Sequence, residues 1–94
     1  MEYIRSHWKH DSPDDPVVMY YEIGNERIVL RVIEVFPDGS TGYADRARKV
    51  EVGGTHLGEG AVPAFDEIKQ VTGIESVLIT KSEFEDAWRR AVDE

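Results

Sequence analysis

Ninety-four residues make a single domain, 1–94, with material for one modest core and little to spare for a deep cofactor cavity. The chain has no cysteine, which excludes disulfides, thiolate zinc sites, iron–sulfur clusters and a Cys nucleophile. Nineteen Asp and Glu against eleven Lys and Arg leave a net charge of −8, and a surface this negative repels phosphate backbones and anionic lipid, arguing against nucleic-acid and membrane partners.

The acid is not an appended tail. Nine acids and five bases lie up to Ala47, ten and six beyond it, so each half carries −4. Such a charge serves solubility, and it also steers a basic partner. A domain this small without disulfide staples suits a reducing compartment. Met1-Glu2-Tyr3-Ile4-Arg5 lacks the basic start and apolar run of a signal peptide. No apolar stretch approaches the roughly 20 residues of a membrane span. A cytoplasmic location is the expectation.

Residues 2–10 read as the first strand, with Ile4 and Trp8 on one face and Tyr3, Arg5, His7 and Lys9 on the other. The run Asp11-Ser12-Pro13-Asp14-Asp15-Pro16 ends it, since two prolines and three acids suit no ladder. Residues 17–23 form a second, unusually apolar strand, and Gly24-Asn25 supplies positive-φ positions for a tight turn. Residues 27–36 form the third strand, largely apolar on both faces and therefore covered on both, or sticky on one. Pro37-Asp38-Gly39-Ser40 is a strong turn leading to a fourth strand at 41–47. Residues 49–52 fit a short fifth strand, and 53–60, with four glycines, reads as a loop.

The period then changes. Pro63 opens a helix to about Thr72, with Phe65, Ile68 and Val71 inward and Gly73 as the stop. Residues 74–79 form an edge strand or an extended connector. Thr80-Lys81-Ser82-Glu83 is a capping box, and Phe84, Ala87, Trp88, Ala91 and Val92 make one apolar stripe on the helix behind it. The predicted fold is α+β: an antiparallel meander of four to five strands with two C-terminal helices packed on one face. Trp8 and Trp88 are expected to meet between sheet and helix.

No constellation reads as an active site. His7 and His10, three apart on a strand, face opposite sides and cannot share an ion without a bulge. The 11–15 acids lack the alternate spacing and central glycine of a calcium loop. The glycine loop lacks the Gly-Lys-Ser/Thr ending of a phosphate loop, and its Glu59 opposes phosphate. No serine sits in a Gly-x-Ser-x-Gly elbow. Neither metal nor cofactor is expected, and the chain reads as a non-enzyme.

Met1-Glu2-Tyr3-Ile4, Trp8-Lys9-His10-Asp11, Pro13-Asp14-Asp15-Pro16, Phe36-Pro37-Asp38-Gly39, Gly53-Gly54-Thr55-His56-Leu57 and Glu83-Phe84-Glu85-Asp86-Ala87-Trp88 together resemble a family of small bacterial proteins classed as a domain of unknown function. The resemblance spans nearly the whole chain. It implies a bacterial cytosolic protein of the kind found as immunity proteins beside polymorphic toxins. The leading expectation is a non-catalytic immunity protein whose acidic surface occludes the active site of a basic cognate toxin. Its candidate contacts are Asp14, Asp15, Asp38, Asp45, His56 and Glu59. The alternative is a small-molecule-binding or regulatory domain. A homodimer through the second or third strand is compatible with either.

Overall fold

The computed structural model describes residues 1–93. Strands β1 (Glu2–Trp8), β2 (Val18–Ile23), β3 (Val29–Val35), β4 (Thr41–Asp45) and β5 (Val50–Val52) form the meander. A single-turn helix α1 (Phe65–Ile68), strand β6 (Ile74–Leu78) and helix α2 (Lys81–Val92) follow. The sheet is wholly antiparallel in the order β5-β4-β3-β2-β1-β6. It therefore has six strands, where the alternation predicts four to five. The last arises because 74–79 pairs with β1, from Ile4 opposite Leu78 to Trp8 opposite Ile74.

The strand alternation sets two faces, and each has its own core. On one, Tyr3 and Ile33 meet Phe84, Ala87 and Ala91 of α2, with Tyr43 and Trp88 at the margin. On the other, Ile4, Ile23, Val29, Val32 and Ala44 are covered by Leu57, Val62, Phe65 and Ile68. The two helices thus lie on opposite faces, which corrects the expectation of one shared face. The cause is the connection from β5 to β6. It starts at one sheet edge and must reach the other, and it crosses the face that α2 leaves bare.

That crossing explains the doubly apolar β3, which is an interior strand covered on both sides. Both β2 and β3 lie inside the sheet, flanked by strands on either side. Trp8 alternates onto the face of Ile4, away from α2, and its ring meets His10 edge-on at 4.4 Å. Trp88 instead meets Tyr43 at 5.3 Å and Phe84 at 6.4 Å. The expected contact between the two tryptophans does not form, because odd and even positions of β1 face opposite ways.

Two local readings also change. The helix foreseen from Pro63 to Thr72 is regular only over Phe65–Ile68, since one turn bears the full nucleation cost and only Phe65 and Ile68 reach the core. In the β2–β3 turn the positive φ falls on Glu26 (61°) and Arg27 (62°), not on Gly24, whose φ is −96°. Gly24 is small for another reason: a Cβ there would stand 2.8 Å from the Leu30 side chain. One half of the capping box forms, with Thr80 Oγ1 accepting from the Glu83 N–H at 3.1 Å, while the Glu83 carboxylate lies 3.8 Å from Arg5.

Candidate functional site

Three places in the fold gather chemistry: a polar clamp under α2, an acidic end of the sheet, and a cavity beneath the crossing segment.

The clamp follows from register. Tyr3 pairs with Glu22, Glu22 with Arg31 and Arg31 with Asp45, so one transverse row of the sheet carries polar groups on the α2 face. Arg31 donates from Nε and Nη2 to the two Glu22 oxygens at 2.8 and 2.9 Å, and from Nη1 and Nη2 to Glu85 of α2 at 3.0 Å each. Its guanidinium lies 4.8 Å from the Phe84 ring centre and 5.0 Å from that of Trp88. The hydrogen bonds from Arg31 hold the Glu85 carboxyl below the usual carboxylate range. Burial, with Glu22 alongside, pushes the Tyr3 phenol up. Every nitrogen of the Arg31 fork has an acceptor, and four of its five N–H groups are used, so the group is a lock between sheet and helix. Its sequence signal is a pair of charges, Glu22 and Arg31, on largely apolar strands.

The acidic end is built by the turns at 9–17 and 36–40, which the strand directions place side by side and which Val17 N–H to Val35 O joins at 2.8 Å. Ser12 N–H can only donate, so His10 Nδ1 accepts from it at 3.0 Å and Nε2 carries the proton donated to the Pro16 carbonyl at 2.8 Å. His10 is a staple for the proline-rich turn. Asp38 accepts from the Ser40 hydroxyl at 2.6 Å and the Ser40 N–H at 2.9 Å, which hold its carboxyl below the usual range. Among the described residues, Asp11, Asp14, Asp15 and Asp38 have no cation within ion-pair distance. Arg90, near the end of α2, lines a hollow beside Gly39 and Thr41 at the same end.

The six expected contact residues do not form one surface. Asp14, Asp15 and Asp38 share the acidic end. Asp45 closes β4 at the opposite end, is 7% exposed, and accepts from the Ala47 and Arg48 N–H groups at 3.0 and 3.3 Å. Burial and turn-closing bonds give the Asp45 carboxylate a structural role at the end of β4. Glu59 lines a surface hollow with Asp45, Arg46 and Lys49. His56 is exposed beside β5, with Nδ1 3.2 Å from Glu51, whose carboxyl it holds below the usual range together with the Leu57 N–H.

The Gly-Gly-Thr run has a structural explanation. Thr55 is 1% exposed, and its hydroxyl donates to Glu34 at 2.7 Å. A Cβ on Gly42 would stand 2.2 Å from Thr55 Oγ1 and 2.9 Å from the Val52 carbonyl. The bare backbone of Gly42 is what lets residues 53–55 fold down onto the sheet. Burial, then the nearby Glu34 charge, push the Tyr21 phenol up to about 12.

The cavity lies between the sheet and segment 62–71 and holds about 210 Å³. Ile4, Ile23 and Ile74 line its sheet side, and Val62, Ile68 and Val71 its cover. None of its lining side chains is charged. The hydroxyls of Ser6 and Ser76, 2.7 Å apart across β1 and β6, are polar points in that wall. Composition and periodicity carry no signal for this void, which exists only once the crossing segment is laid on the sheet.

Among the described residues, no group of three or more His, Asp or Glu is placed to hold a metal ion, and no helix is long and apolar enough to cross a membrane. The class defined by fold and sites is a small α+β domain on one antiparallel sheet, with an ionic clamp on one face and an apolar cavity on the other. The chain belongs to the family described as a domain of unknown function (DUF6881), whose model matches residues 2–93. A search of curated proteins finds no match, and neither does a search of solved structures.

Proposed function

We propose that the protein is a non-catalytic binding protein that docks a basic protein partner through the acidic end of its sheet, as an immunity protein docks on a toxin. One observation carries this reading: four aspartates without a cation among the described residues, Asp11, Asp14, Asp15 and Asp38, stand on two adjacent turns held by His10 and Ser40. Nine other acids, from Glu2 to Asp86, each have a basic partner. Held negative charge on rigid turns raises the encounter rate with a basic surface and loses little entropy on docking. The mechanism is occlusion: the acidic end covers a basic active site and excludes its substrate. Asp14, Asp15 and Asp38 are the contacts kept from the sequence reading.

The test starts from a pull-down of the tagged protein from its native cytosol at low and moderate salt. One stoichiometric basic partner, lost as salt rises, is the expected result. With that partner purified, Asp14→Lys with Asp15→Lys should slow association at least tenfold and leave the melting temperature unchanged. Unchanged affinity would exclude this surface, and recovery of the protein alone would exclude the reading.

A further inference from the structure

We infer that the cavity beneath segment 62–71 is a binding site for a small, neutral, mostly apolar molecule carrying one hydroxyl or carbonyl group. Size sets the first limit. An apolar cavity of about 150 Å³ stays dry and takes benzene, so 210 Å³ admits a single substituted ring or a short branched chain. The lining sets the second. With no charged side chain on the wall, an anion or cation would lose its hydration without compensation.

The serine pair supplies a directional feature on the β1–β6 wall, and Tyr21 also lines the cavity. Ser6 is 3% exposed, and its hydroxyl shares a hydrogen bond with Ser76 at 2.7 Å. That bond uses one of the two hydroxyl protons and leaves the second for an acceptor on a ligand. A ligand with one oxygen therefore orients that oxygen towards β1 and β6 and its carbon body towards Ile23 and Ile68.

Access follows from how the cover is held. Its ends are tied to the sheet: the Val62 N–H donates to the Arg27 carbonyl at 2.8 Å, Arg27 Nη2 to the Pro63 carbonyl at 2.5 Å, and the Lys9 N–H to the Gly73 carbonyl at 2.9 Å. Between them, the backbone hydrogen bonds of residues 64–72 are local, joining Ala64 to Ile68, Phe65 to Lys69 and Val71 to Ile74. One of these reaches the sheet, the Ile74 N–H at the start of β6 donating to the Val71 carbonyl at 3.4 Å; side chains otherwise hold this stretch down, and Val71 is 50% exposed at its rim. Lifting the cover costs at most that one long bond to the sheet, a low-cost local opening. The site is separate from the acidic end and stands whether or not the protein docks a partner there.

The probes are phenol and toluene, matched in shape and differing in one oxygen, with benzoate as the charged comparison. Titrations followed by isoleucine-methyl NMR should show saturable shifts at Ile4, Ile23, Ile68 and Ile74 with phenol and toluene, and none with benzoate. Ser76→Ala should weaken phenol severalfold and leave toluene within twofold, a difference that a merely structural serine would not produce. Val71→Phe, at an exposed rim position that tolerates size, should weaken both at least tenfold. Non-saturable shifts with both neutral probes, or benzoate binding as tightly as phenol, would overturn the site. Equal losses of phenol and toluene in Ser76→Ala would overturn the role of the serine pair.

Discussion

On the α2 face Phe84 is wholly buried beside Tyr3, Arg31 and Trp88, whereas on the opposite face Ile68 and Val71 stand partly covered over a void. Both faces present comparable aliphatic and aromatic side chains from the same strands. They differ in what closes them. A capped twelve-residue helix satisfies its own backbone and offers a continuous apolar stripe, so its side chains can be chosen for fit alone. The segment 53–73 must first cross the sheet, and its sequence is spent on turns, glycines and anchoring bonds. It covers the face without filling it. A rigid closure and a liftable one coexist on one sheet because one is an element and the other a connection.

That contrast can be broken in order of expected effect. Phe84→Ala should lower stability by about 3–5 kcal/mol, the range for removing a fully buried ring. Ile68→Ala, half-buried beside an existing void, should lower it by only about 1 kcal/mol. Urea denaturation of both variants checks the pair, and similar losses would erase the distinction between the faces. Arg31→Met leaves the Glu22 and Glu85 carboxylates facing each other without a cation. A loss of about 3 kcal/mol is expected, the low end for a broken buried pair because Glu85 keeps some solvent. Replacing all three residues by apolar ones should recover most of that loss. Without recovery in the triple variant, the packing of Arg31 on Phe84 and Trp88 matters more than its charge.

Smaller effects sharpen the picture of the covered face. Gly42→Ala drives a methyl into Thr55 Oγ1 and the Val52 carbonyl, and should lower stability by about 1–3 kcal/mol. Hydrogen exchange should localise the change to residues 53–55. The smallest effect is pH-dependent. The folded-state pKa of Glu85 is depressed by Arg31, so its stabilisation is complete above the unfolded value of about 4.3 and disappears as pH falls through the folded value. Glu85→Gln should therefore be less stable than the wild type at pH 7, by about 1 kcal/mol, and the gap should narrow as pH falls below the unfolded value. A gap independent of pH would mean that the carboxylate charge is not what Arg31 holds.

The legible parts of the fold were those with a local cause. Period-two alternation marks β1 to β4, the Pro37-Asp38-Gly39 turn joins two of them, and the Thr80 cap with its apolar stripe defines α2. The position of Asp38 on a turn was legible for the same reason, since Asx chemistry acts within a few residues, whereas His10, read as the end of the first strand, lies beyond β1. Other features depend on residues far apart in the chain. Glu22, Arg31 and Glu85 meet only when β2 pairs with β3 and α2 lies across them, though two charges on apolar strands were a visible hint. Asp45 looked like a surface acid until the turn after β4 closed around it.

By itself, then, the sequence determined the strands, the capped helix, the absence of cysteine chemistry and the acidic character, because each is set by neighbours in the chain or by composition. Tertiary structure alone decided which face each helix covers, which aspartates lie together, and that a cavity lies under the crossing segment. A face, a cluster and a void are relations between distant residues, and they come into being when a connection of fixed length must span a sheet of fixed width.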